Sequence, residues 1–214
     1  MGDMKTGKNG GVDCFAAKGA VRNDGGGAGG SKSRGIGGGA SGGVGGGAIN
    51  GTRKITHAAL IAAIYAALTI WLAPISFARQ QVRVAEALCV LPAFMPAAVP
   101  GLFVGCLVAN IVSVFGLPDI IFGSLATLIS AALTRRIARL VSERGVVFQA
   151  LLIPLPAVVV NTLIIGAMLS VLTGVAFAAA ALGVLAGQAL SCYGLGAPLY
   201  LALRGYARQK NKLH

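Results

Sequence analysis

Glu86 is the residue of this chain that most demands a chemical reason. It stands at the edge of a 32-residue stretch, Ala87 to Pro118, that carries no charged side chain. A charge in an apolar membrane segment costs about 2.5–3.5 kcal/mol. Such a group faces a cavity, a partner charge or a ligand. Arg83 lies three positions earlier, on the same helix face. It either pins a loop through an ion pair with Glu86 or orients that carboxylate toward a ligand. Asp119 follows Pro118 at an expected helix start. There it either offsets the positive end of the helix dipole or adds a second polar contact at the outer level of Glu86. Asn110, Asn161 and Gln188 place amides in three apolar spans, where they join helices by hydrogen bonds or touch a ligand. Tyr193 and Trp71 could stack a planar ring or anchor the chain at the membrane interface. His57, close to Lys54, reads as an interfacial residue.

Several chemistries are excluded. There is no G-x-S-x-G elbow, no H-E-x-x-H helix and no paired-aspartate motif, so the sequence points away from an enzyme. It calls for no cofactor and no metal. The four cysteines, Cys14, Cys89, Cys106 and Cys192, show neither a C-x-x-C pair nor a metal-ligand spacing. In apolar runs a free cysteine acts as a small hydrophobe. Gly25 to Ser33 (GGGAGGSKS) only imitates a phosphate-binding loop, because Ser31 separates Gly30 from Lys32 and no strand or helix flanks it. The formal net charge of +12 does not mark a nucleic-acid binder. Outside the N-terminal segment the bases gather at the ends of apolar runs, as topology signals do, and no basic-aromatic stripe exists.

The elements that must position Glu86 are membrane helices. Charged residues make up only 11% of the chain, and the 59 residues from Gly145 to Leu203 carry none. A bilayer core takes about 20 apolar residues per helix, so that run holds two spans and a link. No alternation of polar and apolar residues supports a closed barrel, which leaves helices to satisfy the backbone in lipid. Residues 1–51 hold 20 of the 32 glycines and read as a disordered tail without the apolar region of a secretory signal. Residues 52–214 form the membrane domain.

The expected helices are Ile55 to about Ala73, a short one near 82–96, then 98–115, 118–141, 147–172 and 175–207. Pro74, Pro92, Pro96, Pro100 and the turn Gly116-Leu117-Pro118 divide them. Three basic clusters (Arg53-Lys54; Arg135, Arg136, Arg139 and Arg144; Arg204, Arg208, Lys210 and Lys212) are all expected on the cytoplasmic side. The result is an all-α protein with six transmembrane helices and both termini inside; the short second helix leaves four spans open. Arg79 and Arg83 then lie outside, against the charge rule. On the first helix Ala58, Ala62 and Ala66 repeat every fourth residue, as do Ala59, Ala63 and Ala67. Either triplet makes a smooth face for close backbone approach, inside the molecule or to another membrane protein. Gly101-x-x-x-Gly105 and Gly183-x-x-x-Gly187 are weaker cases.

The stretches ITHAALIAAIYAALT (55–69), LAPISF (72–77), VRVAEALCVLP (82–92), PAAVPGLFVGCLVANI (96–111), GLPDIIFGSLATL (116–128), PAVVVNTLIIG (156–166) and CYGLGAPL (192–199) resemble the QueT family of queuosine-precursor transporters. The resemblance covers about residues 54–204. It implies the substrate-binding (S) component of an energy-coupling-factor importer in a bacterial plasma membrane. Such a component has six helices and binds a vitamin-like solute at the outer face. It works with a transmembrane coupling subunit and two ATPase subunits. The implied substrate is a deazaguanine base. Its two adjacent N–H donors suit the carboxylate of Glu86 as a charge-assisted pair, with Arg83, Asn110, Asp119, Asn161, Gln188 and Tyr193 around it. The alanine face Ala58, Ala62 and Ala66, or its neighbouring triplet, is implied to meet the coupling subunit. Family members often carry an acid before the Cys-Tyr pair of the last helix, where this chain has Gln188. That departure favours a neutral or differently decorated base over a cationic one. A self-contained carrier or channel, a scaffold subunit without a small ligand, and an S component for another vitamin-like solute are the other readings.

Overall fold

The computed structural model describes residues 45–72 and 83–212, and every regular element among them is helical. The first helix, α1 (Gly45–Trp71), begins inside the segment read as a tail. Residues 1–44 lie outside the described residues, as do Pro74, Arg79, Gln80 and Gln81. A 3-10 helix, Val84–Ala93, carries Glu86. After it come α2 (Ala98–Asn110) and a π-helical turn, Asp119–Gly123, that runs into α3 (Ser124–Leu140). Short α4 (Val146–Leu152) precedes α5 (Leu155–Thr173). Then α6 (Phe177–Ala189) passes through a second π segment, Leu190–Gly196, into α7 (Ala197–Lys212).

Among the described residues, four helical stretches are long and apolar enough to cross a membrane: 51–71, 119–140, 146–173 and 177–209. The other two apolar helices are shorter, with 10 and 13 residues. At a rise of about 2.0 Å per residue in a 3-10 helix and about 1.5 Å in an α-helix, each is about 20 Å long. That is below the ~30 Å hydrocarbon core. The chain is therefore of the multi-pass helical class, with four stretches that qualify as spans by length and composition.

Prolines and glycines decide where the helices break. Pro154 separates α4 from α5, where the sequence suggested one helix. Proline removes an N–H and frees a carbonyl. Serine and threonine hydroxyls tie the break to a neighbouring helix. Here Thr134 donates to the Ile153 carbonyl at 3.2 Å and Ser130 to the Pro156 carbonyl at 3.5 Å, both from α3. Gly174 ends α5 in the left-handed conformation (φ 69°), the usual role of glycine just past a helix.

The closest helix pair is α1 and α2, which run alongside each other. A Cβ on Gly101 would lie 2.7 Å from the Ala58 carbonyl oxygen, and one on Gly105 would lie 2.8 Å from that of Ala62. The triplet Ala58, Ala62 and Ala66 is thus engaged inside the molecule, with Ala66 buried. Ala59, Ala63 and Ala67 are exposed. Of the two triplets that the sequence left open for close approach, the first is the one that packs inside the molecule. Both triplets have the same spacing, and only the glycines of α2 choose between them. Gly105→Val is expected to destabilise the protein by about 3 kcal/mol through overpacking, read as a lower melting temperature in detergent. Gly205→Ala, inside α7 with nothing within 4 Å, should not lower it.

At the opposite end from Asp119, buried Gln149 ties three segments together. Its Nε2 reaches the carbonyls of Val141, Ser142 and Arg144 at 2.7, 2.9 and 2.9 Å. Its Oε1 accepts from Tyr200 at 2.6 Å and from Arg204. The amide thereby serves orphan carbonyls after α3 and brings the second and third basic clusters to one end.

Candidate functional site

The three acids of residues 52–214 are Glu86, Asp119 and Glu143. Glu143 is exposed, whereas Glu86 and Asp119 are 1% and 0% exposed. Both buried acids belong to one polar network inside an apolar bundle.

The Glu86 carboxylate collects donors from four helices. Tyr65 of α1 donates its hydroxyl to Oε1 at 2.7 Å. Cys89, one 3-10 turn along, places its thiol 2.9 Å from Oε2. Thr127 of α3 is 3.4 Å from Oε1, and Asn161 of α5 is 3.5 Å from Oε2. Gln188 stands one step back. Cys192 lies 3.7 Å from its Oε1 and 3.9 Å from the Glu86 backbone carbonyl. The 3-10 winding eclipses positions three apart, which is why Glu86 and Cys89 meet.

Arg83 makes its ion pair with Asp119, not in the arrangement expected from its spacing to Glu86. Its NH2 lies 2.7 and 2.8 Å from the two Asp119 oxygens. Ser113 donates to Asp119 Oδ2 at 2.5 Å, and Asn110 donates Nδ2 to the Asp119 backbone carbonyl at 2.8 Å. Asp119 is therefore held through both oxygens. Gly123 makes room for this knot, because a Cβ there would lie 2.5 Å from Asn110 Nδ2 and 3.1 Å from Asp119 Oδ1. The sulfur of Cys106 joins the two centres, with Thr127 Oγ1 at 3.3 Å, Asn110 Nδ2 at 3.5 Å and Arg83 NH1 at 3.7 Å.

Of the residues singled out in the sequence, the structure brings Glu86, Arg83, Asp119, Asn110, Asn161 and Gln188 into this network. Tyr193 lies apart from the carboxylates. Its hydroxyl donates to the Leu151 carbonyl at 3.0 Å and ties the second π segment to α4. Trp71 is 80% exposed at the end of α1. Sequence reasoning missed Tyr65, Cys89, Cys106, Ser113 and Thr127. Tyr65 had a signal, since it lies three positions after Ala62 and seven after Ala58, on a face that the alanine repeat offered for close approach. An apolar cavity of about 470 Å³ among Phe115, Leu169, Val175, Ala180 and Gly183 includes none of the candidate substrate-binding residues. No metal-holding group of His, Cys, Asp or Glu occurs among the described residues.

A helical multi-pass bundle that keeps a carboxylate and an ion pair dry at one end defines a membrane protein built around a polar centre. Residues 55–205 match the family model described as QueT transporter. The chain belongs to the QueT transporter family and is a multi-pass membrane transport protein. No curated protein and no solved structure matches it.

Proposed function

We propose that this chain is the substrate-binding component of an energy-coupling-factor importer and that it captures the deazaguanine base of a queuosine precursor on Glu86. The observation that carries the reading is the pattern of donors on that carboxylate. A carboxylate offers about four acceptor positions, two on each oxygen. Each Glu86 oxygen has one close donor, Tyr65 or Cys89, and one distant donor, Thr127 or Asn161. The distant positions, one per oxygen, suit two adjacent N–H groups of a guanine-like edge. Charge-assisted bonds of this kind are about twice as strong as neutral ones. In this reading Asn161, released from Oε2, donates to a ring carbonyl. Asp119 is bound by Arg83 and Ser113 and Glu143 is exposed, so among the described residues no second acid is left for a cationic arm. A base with an uncharged substituent fits best.

The reading includes six crossings with both termini on the cytoplasmic side of a bacterial plasma membrane, and ATP hydrolysis supplied by partner subunits. For the coupling subunit we assign the exposed triplet Ala59, Ala63 and Ala67. Ala63→Leu is expected to abolish co-purification with that subunit while leaving the melting temperature of the isolated chain unchanged. Ala62→Leu should instead lower the melting temperature, because the Ala62 backbone lies against Gly105. Retention of the complex by Ala63→Leu would count against the assignment. The substrate is tested by calorimetry of the purified chain with deazapurines, and by identifying the small molecule retained after gentle purification. Flux of a deazapurine into liposomes holding this chain alone would favour a self-contained carrier.

A further inference from the structure

Tyr65 is buried with no exposed surface, and its hydroxyl is the one strong donor among the described residues that Glu86 receives. Thr127 has a single hydroxyl proton and three acceptors near it. The Gly123 carbonyl at 3.0 Å is closer than Cys106 Sγ at 3.3 Å or Glu86 Oε1 at 3.4 Å, so Glu86 receives only a weak, shared bond from Thr127. Asn161 at 3.5 Å is at the limit of a hydrogen bond. The Cys89 thiol is a weak donor by nature. The terminal torsion of a glutamate is broad and nearly two-fold, so without a firm anchor its carboxylate turns to suit whatever donor arrives.

We propose that Tyr65 is the specificity-determining positioning residue of the site: by fixing Oε1 it holds the Glu86 carboxylate in one orientation, so that capture requires two adjacent N–H donors. The proposal rests on the deazaguanine reading above. A fixed, buried acceptor pair rejects a ligand that lacks one donor, because one oxygen is then left unserved. A carboxylate free to turn loses that discrimination. Tyr65 acts through Glu86, and its role is selectivity more than binding as such.

The experiment compares 7-deazaguanine with 7-deazahypoxanthine, which lacks the exocyclic amino group, by calorimetry of the full chain in detergent. Wild type is expected to prefer 7-deazaguanine strongly. In Tyr65→Phe, which keeps the ring and loses one oxygen, 7-deazaguanine should bind about tenfold to a hundredfold more weakly, the weight of one bond to a charged group. The des-amino base should change little, so the preference collapses. A fluorotyrosine at position 65, a stronger donor of the same shape, should widen it. Equal loss for both bases in Tyr65→Phe, or an unchanged preference in both substitutions, overturns the proposal while the substrate reading stands. Failure of wild type to bind either base overturns both.

Discussion

Glu86→Gln is expected to lower deazapurine affinity by about 100-fold or more while the melting temperature of the free protein stays the same or rises. Removing one partner of a buried charged hydrogen bond costs about 2–5 kcal/mol, and about 1.4 kcal/mol is tenfold in affinity. Glutamine has the shape of glutamate but offers one acceptor oxygen and an NH2 group. That NH2 would face an N–H donor of the base with another donor. The Tyr65 hydroxyl at 2.7 Å would compete for the single oxygen left. Stability should move the other way, since a neutral amide is cheaper to keep out of water than a carboxylate. Calorimetry and thermal melting of the same preparation separate the two effects. Undiminished binding removes Glu86 from the site. A parallel fall in melting temperature and affinity makes it a structural residue only.

Asp119→Asn should destabilise the protein by about 3–5 kcal/mol, the cost of leaving one member of a buried ion pair without its counter-charge. Arg83 is 3% exposed and lies within 2.8 Å of both Asp119 oxygens, so its guanidinium would keep its charge in an apolar bundle. Ser113 and Asn110 add neutral donors to the same residue and cannot replace the lost charge. The double substitution Arg83→Met, Asp119→Leu should recover most of the stability, because it removes both charges together. A double-mutant cycle on melting in detergent measures the coupling. If Asp119→Asn melts like wild type, the pair is not what holds the 3-10 helix to the start of α3.

The membrane class was legible in the sequence because hydrocarbon is an unforgiving solvent. A run of 59 residues without a charge admits few other readings. The same cost singled out Glu86 as an acid that needed a partner. Helix boundaries were legible where proline or glycine set them, as at Gly174, and less so where the helix changes its winding. Nothing in the order of residues announces the 3-10 helix at Val84–Ala93 or the π turns at Asp119 and Leu190. Their hydrogen-bond register is settled by what packs against them.

Partner choice was the part that one dimension could not carry. Spacing placed Arg83 beside Glu86, yet the arginine pairs with Asp119, 36 positions away. Glu86 takes donors from α1, α3 and α5 at separations of 21, 41 and 75 residues. Two alanine triplets of identical period were equivalent until the Gly101 and Gly105 backbones claimed one of them. By itself the sequence determined which segments leave water and which acids need compensation, because transfer cost depends on composition along the chain. Only the tertiary structure decided which donors supply that compensation, because hydrogen bonds depend on distances between helices that the chain order does not set.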